Sequence, residues 1–275
     1  MNQSINNLEF VNCLICDSDN TETLFEVVVN NSLMSIVKCN CSFVYLNPRP
    51  TIKDIGVYYD NSYSPHNFNT RSFFFKILQN ISFYWKRYII SKYCYISKKL
   101  LDIGGGDGSF SDYLCKNGWL SSVYDKFSNL DYVDNFHSKY SAITMLHSLE
   151  HIHNTGEIFK KIGNTLEDDG FLFIAVPNHD SIDRRFFKRK WIAYDVPRHL
   201  YHFTPTTIEV LLKKNRYKII SSYSMYQDTV FNVFNSFRSK LLKFVLSPII
   251  IPLMFCIIFF NNKYASSILY VCQKK

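Results

Sequence analysis

Four short stretches of the 275-residue chain hold side chains whose types and spacing could do chemistry. The first is Asp102-Ile103-Gly104-Gly105-Gly106-Asp107-Gly108, alternate glycines behind an acid. Glycine there lets the backbone turn tightly and lets a ligand approach the main chain closely. A dinucleotide fingerprint would place its third glycine at position 109, which is Ser109, so a nicotinamide cofactor is the weaker reading. The second stretch is His147-Ser148-Leu149-Glu150-His151. Taken alone it is the H-x-x-E-H pattern of an inverted zinc-protease helix, with His147 and His151 on one face. Asn154-Thr155-Gly156 would break that helix almost at once, which sets the protease reading aside. A histidine there could instead deprotonate a hydroxyl, while Glu150 and His151 could simply hydrogen-bond a turn.

The third stretch is cysteine-rich: Cys13-x-x-Cys16 and Cys39-x-Cys41 crowd four of the eight cysteines into one region. Four thiolates suit tetrahedral zinc at about 2.3 Å, and four reduced buried thiols are the alternative. The fourth is Trp191 to Thr204, WIAYDVPRHLYHFT, with Arg198, His199 and His202 among aromatic rings. Such rings stack on sugars or bases, and Arg and His address anionic or hydroxyl groups; an ordinary lid would pack the same rings inward.

These stretches need a frame. Lys99 to Ile103 is a short apolar strand running into the glycines, and Ser109 to Lys116 spaces Phe110 and Leu114 one helical turn apart. Strands follow at 121–125 and 142–146, then a helix at 157–166. Phe171 to Val176 is an unbroken apolar run stopped by Pro177, as a buried parallel strand should be. A helix at 206–215 and strands at 217–224 and 267–272 complete the series. The alternation predicts an α/β fold with a doubly wound, mostly parallel, Rossmann-like sheet. Expected divisions are a small cysteine-knuckle domain over 1–50, with a strand at 24–29, an aromatic-rich helical connector over 51–97, and the sheet domain over 98–275.

At 47% hydrophobic, the chain can bury a large core, and disorder is not the default. Thirty-one basic against 23 acidic side chains give +8, which favours an anionic partner without choosing among phosphate, nucleic acid and lipid. The first ten residues lack the pattern of a secretory signal, so the crowded cysteines are expected in reducing cytoplasm. Phe244 to Phe260 carries no charge over about 17 residues and contains Pro248 and Pro252. It lies between two strands expected in one sheet, so it cannot cross a membrane singly. Preceded by Arg238, Lys240 and Lys243, the region 237–260 suits an amphipathic helix on anionic lipid, placing the protein at the inner face of a membrane; ordinary burial is the alternative.

The acid-x-Gly-x-Gly-x-Gly loop resembles that of class I S-adenosylmethionine-dependent methyltransferases. The CLIC segment, YLNPRP, LHSLEHI and PRHLYHFTP are similar to a subset of these that carries an N-terminal cysteine (zinc) knuckle and is linked to glycan and cell-surface polysaccharide pathways. The resemblance implies S-adenosylmethionine held by Asp102, Gly104, Gly106, Gly108 and Leu146, its ribose by Asp125, and its adenine near Asp134. It also implies structural zinc on Cys13, Cys16, Cys39 and Cys41, with methyl transfer to a sugar hydroxyl or amine of a small-molecule or glycan acceptor. His147 is the expected base for an oxygen nucleophile, His199 the second candidate, and Arg198 the holder of an anionic part. Three departures stand out: Cys39-x-Cys41 is tighter than usual, the stretch from Asp125 to Ala142 is short, and Ser141 replaces a usual aspartate. They motivate a rival, a non-catalytic scaffold of the same fold. The basic run Arg184, Arg185, Lys188, Arg189 and Lys190 motivates a weaker one, an RNA methyltransferase.

Overall fold

The structure, a computed structural model, describes residues 7–59, 73–125 and 135–275. Near the N-terminus β1 (Leu8–Glu9) will later meet β5 (Arg49–Pro50), closing the first fifty residues into a loop. Between them β2 (Thr21–Val29) and β3 (Ser32–Cys39) form an antiparallel hairpin. Its turn residues Asn30 and Asn31 have φ of 49° and 62°, a region asparagine tolerates and most side chains avoid. β4 (Val44–Leu46) adds to β3. The expected strand at 24–29 is thus one arm of a hairpin whose other arm, burying Met34 and Ile36, went unread.

Helix α1 (Phe73–Tyr93) leads into β6 (Lys99–Ile103), α2 (Ser109–Lys116) and β7 (Leu120–Tyr124). Then come β8 (Tyr140–Leu146), α3 (Thr155–Thr165) and β9 (Leu166–Pro177). After α4 (Ile182–Phe187), β10 (Tyr201–His202) and α5 (Pro205–Lys214), the chain forms β11 (Tyr217–Ser224) and α6 (Tyr226–Ser236). It ends with α7 (Lys240–Phe260) and β12 (Ser267–Lys274).

Six of these strands form one sheet in the order β11-β12-β9-β8-β6-β7. β7, β6, β8 and β9 are parallel, and β12 runs antiparallel to both its neighbours. This is the Rossmann-like, mostly parallel sheet expected from the alternation. Its central strands are covered on both faces, with Leu100, Leu101, Ala142, Ile143, Leu172, Phe173 and Ile174 all fully buried. From β6 the chain steps to β7 on one side and later returns to β8 on the other. The carboxyl ends of β6 and β8 therefore flank a topological switch point, where open α/β sheets leave a crevice.

β10 leaves the large sheet's territory and pairs with β4, extending the N-terminal sheet to β10-β4-β3-β2. Leu46 N–H donates to the Leu200 carbonyl (3.0 Å), and Leu200 N–H donates to the Glu150 carbonyl (2.8 Å). The first fifty residues are tied in this way to the segment following β8. Helix α7 continues through both prolines and lies between β11 and β12 in sequence. Those two strands pair side by side, so both ends of α7 return to the same sheet.

Candidate active site

The glycine loop follows β6 directly. Gly104, Gly106 and Gly108 have φ of 77°, 57° and 77°, conformations that favour glycine, and Gly108 caps α2. A Cβ on Gly104 would lie 2.3 Å from Ser148 Cβ, because Ser148 is pressed onto the loop, its hydroxyl donating to the Ile103 carbonyl (2.8 Å). Two of the chemically suggestive stretches are thus packed together at the switch point. A Cβ on Gly106 would meet nothing within 4 Å among the described residues, which leaves room for a ligand beside the loop.

Gly106 N–H donates to Asp125 Oδ2 at 2.8 Å, bringing the acid just beyond β7 beside the loop. Asp102, at 2% exposure, accepts from the Thr144 hydroxyl at 2.6 Å across β6 and β8. Burial pushes its carboxyl up to about 6, against the opposing pull of Thr144 and of the Lys86 charge. Leu146 ends β8, half-buried. Asp134, the expected adenine neighbour, lies outside the described residues.

His147 itself leaves β8 with φ of 58°, and only a single 3-10 turn, Leu149–His151, follows. His147 and His151 therefore do not share a helical face. The expected break holds, and Asn154 caps the separate helix α3 by accepting from Glu157 N–H at 3.1 Å. His147 Nε2 lies 2.8 Å from Asp228 Oδ2 and Nδ1 lies 3.5 Å from Glu150 Oε1. Burial disfavours the charged ring, but these two carboxylates outweigh it and hold His147 up at about 10. Asp228 was not singled out in the sequence. The available signal was its place four residues beyond the end of β11, at the sheet edge where ligands gather.

The Trp191–Thr204 segment returns to the same region. His199 is buried with Nδ1 2.8 Å from the Ala193 carbonyl oxygen, and its ring meets that of His151 edge-on at 4.7 Å. Burial and the neighbouring His199 push His151 down to about 4. Arg198, expected to hold an anionic group, has its guanidinium fork on Asp195, with Nε donating to Oδ2 (2.9 Å) and Nη2 pairing with Oδ1. Its Nη1 donates to the Tyr58 carbonyl at 3.1 Å.

The four cysteines converge. Cys13 and Cys41 sulfurs are 3.4 Å apart, as are those of Cys16 and Cys39, and all four lie within 4.8 Å of one another. Zinc–sulfur bonds of 2.3 Å give a tetrahedron with edges of about 3.8 Å, so the cluster is compatible with that ion. The tight Cys39-x-Cys41 spacing is accommodated because Ser42 takes φ of 72° and its N–H donates back to the Cys39 carbonyl (2.7 Å). The basic run is engaged locally: Arg184 Nε lies 3.2 Å from His179, Arg185 sits over the Tyr264 ring and Arg189 over that of Phe25.

A family model described as a methyltransferase domain matches residues 76–222, just over half of the chain. The chain belongs to the methyltransferase domain family. No curated protein matches this methyltransferase significantly. Among solved structures, one from Burkholderia thailandensis, 1,6-didemethyltoxoflavin-N1-methyltransferase with bound 1,6-didemethyltoxoflavin and S-adenosylhomocysteine, is 12% identical, with 93% of this chain and 99% of that one covered at a TM-score of 0.52. An S-adenosylmethionine-dependent methyltransferase from Archaeoglobus fulgidus is 16% identical, covering 74% of this chain and 100% of that one at a TM-score of 0.46. At 12% identity the first of these likenesses speaks to the fold alone. The family match and the sheet together make the protein an S-adenosylmethionine-dependent methyltransferase. The open glycine loop and the acid beside it fit that cofactor.

Proposed function

We propose that this methyltransferase acts on a hydroxyl or amine of a small-molecule or glycan acceptor, in the cytoplasm and at an anionic membrane surface. When bound, S-adenosylmethionine supplies a methyl group already activated by its sulfonium. Asp102 and the backbone of Gly104, Gly106 and Gly108 would cradle it, Leu146 would pack on it, and Asp125 would accept hydrogen bonds from the ribose hydroxyls. His147, one third exposed and kept protonated by Asp228 and Glu150, would orient the acceptor rather than take its proton. His199 and the Arg198–Asp195 pair would form the opposite wall. The protein's main contribution is alignment, since an activated methyl needs a correctly placed nucleophile more than an acid. The four cysteines would hold a structural zinc that fixes the N-terminal sheet against this wall.

The observation that carries this reading is the Gly106–Asp125 hydrogen bond at the switch point. Calorimetric titration with S-adenosylmethionine and S-adenosylhomocysteine tests it. Micromolar binding is expected for the wild type, weakened at least about tenfold in Asp125→Ala, the loss of a charge-assisted hydrogen bond. A folded wild type that binds neither compound would overturn the assignment of the loop and favour the scaffold reading.

A further inference from the structure

We propose that Glu150, His151 and His199 form a binding site for a divalent cation of the Mn2+ or Fe2+ kind, set beside the methyl-transfer site. One ligand atom from each of the three lies within 4.8 Å of the other two. Glu150 has no exposed surface, and among the described residues neither carboxylate oxygen finds a partner at hydrogen-bond distance. The nearest opposite charge is protonated His147, whose Nδ1 lies 3.5 Å from Oε1, a long ion pair that reaches only one of the two oxygens. A fully buried carboxylate with one oxygen still unpartnered keeps a desolvation cost that a second cation would offset.

The imidazoles are set for the same ligand. His199 Nδ1 lies 2.8 Å from the Ala193 carbonyl oxygen, and His151 Nδ1 lies 3.0 Å from that of Arg198 and 2.8 Å from the Tyr59 hydroxyl. A carbonyl only accepts, so in each ring Nδ1 carries the proton and Nε2 keeps its lone pair. That is the arrangement that stands behind metal-bound imidazoles. Asp195, held by Arg198, places Oδ2 3.9 Å from His199 Nε2 and adds a second negative charge nearby. Two imidazoles and one carboxylate with open positions suit Mn2+ or Fe2+, whereas the four thiolates near the N-terminus form a soft set suited to zinc. The Glu150 backbone is held from the other side by Leu200 N–H (2.8 Å), so the ligands arrive on segments already tied together.

A cation here has a use that rests on the methyl-transfer reading. It would bind an acceptor hydroxyl and lower its pKa, so that the proton leaves to solvent before attack. The alkoxide oxygen then forms the new C–O bond while the methyl–sulfur bond breaks, its electron pair staying on sulfur as the neutral thioether. Open positions on one cation also select an acceptor with two adjacent oxygens, such as a vicinal diol, over a lone amine.

The test is titration of the full-length, zinc-replete protein with Mn2+ alone, following the free-ion signal by electron paramagnetic resonance. One saturable Mn2+ per chain is expected, weakened at least about tenfold in Glu150→Gln and in His199→Gln, each of which removes a ligand. Absence of saturable binding at millimolar Mn2+, or equal affinity in the wild type and in whichever of the two ligand variants folds, would overturn the proposal. S-adenosylhomocysteine titration of the same sample without Mn2+ reads the cofactor assignment separately. Mn2+ binding without cofactor binding would leave the metal site standing and remove only its role in methyl transfer.

Discussion

At the scale of single residues, burial sets the character of the site. Asp102 has an ordinary carboxyl value of 3.8 and is pushed up to about 6 in the folded protein by burial among β6 and β8. The sign follows from proton linkage. Below about pH 4 the carboxyl is neutral in both folded and unfolded chains. Between 3.8 and about 6 the unfolded chain ionises while the folded one resists, so stability falls as pH rises through that window and levels off above it. A shift of this size corresponds to a change on the order of 3 kcal/mol. Measured without cofactor, the Tm of the wild type minus that of Asp102→Asn should therefore fall from pH 4 to 6 and stay flat from 6.5 to 8. A difference that is flat throughout would show that burial does not govern this acid. Asp102, Asp125 and the glycines were legible in the sequence because each lies within a few residues of a strand end. Asp228 and Tyr59 were not, because what brings them to His147 and His151 is packing between segments about eighty and ninety residues away.

At the scale of elements, the N-terminal hairpin gains its meaning from what it holds. β4 lies between β3, which ends in Cys39, and β10, which carries the segment tied to Glu150. Arg49 strengthens the same junction, donating to Glu9 Oε1 and to the Tyr201 hydroxyl at 2.8 Å each. If zinc fixes Cys13, Cys16, Cys39 and Cys41, its removal loosens β4 and with it β10. Zinc content measured by mass spectrometry should be one per chain in the wild type and none in Cys16→Ser. The variant should lose at least about 10 °C in Tm, a typical response of a domain this size to losing several kcal/mol. Amide exchange should quicken in both 10–50 and 191–204, although only the first stretch holds cysteines; quickening confined to 10–50 would sever the proposed link. None of this coupling could be read beforehand. A two-residue strand such as β10 has no periodicity of its own, and its partner is chosen by register more than 150 residues away. The six-stranded sheet was legible because its central strands β6, β8 and β9 carry separate apolar runs bounded by turn signals. β9 still begins at Leu166 rather than Phe171, its polar start being carried by a register shift against β8.

At the scale of the whole molecule, one surface does not suit water. α7 is the helix among the described residues long and apolar enough to span a bilayer, with a mean hydropathy of 2.4 over its best window. Its buried positions Ser247, Met254 and Ile258 lie on one side, with Phe255 meeting Tyr226 of α6 edge-on. Leu241, Val245, Ile249, Leu253 and Ile257 recur every four residues on the exposed side, and Phe259 and Phe260 stand 77% and 85% exposed. Crossing is excluded by topology, since β11 and β12 pair in one sheet and must stay on one side of any membrane. A stripe of this kind, with exposed Arg238 and Lys240 before it and Lys263 after it, instead suits a helix lying in the plane of an anionic leaflet. The lipid surface would then meet the same α6 that carries Asp228 to His147, so the acceptor could arrive from the membrane itself. Flotation with vesicles of phosphatidylcholine containing about one-third phosphatidylserine should carry the wild type upward, and pure phosphatidylcholine should carry much less. Leu253→Glu together with Ile257→Glu places two charges on the exposed stripe without touching the buried side, and should abolish flotation while leaving S-adenosylhomocysteine affinity unchanged. Wild-type protein that stays wholly in the soluble fraction with anionic vesicles would remove the membrane from the reading and leave α7 as an interface for another protein surface.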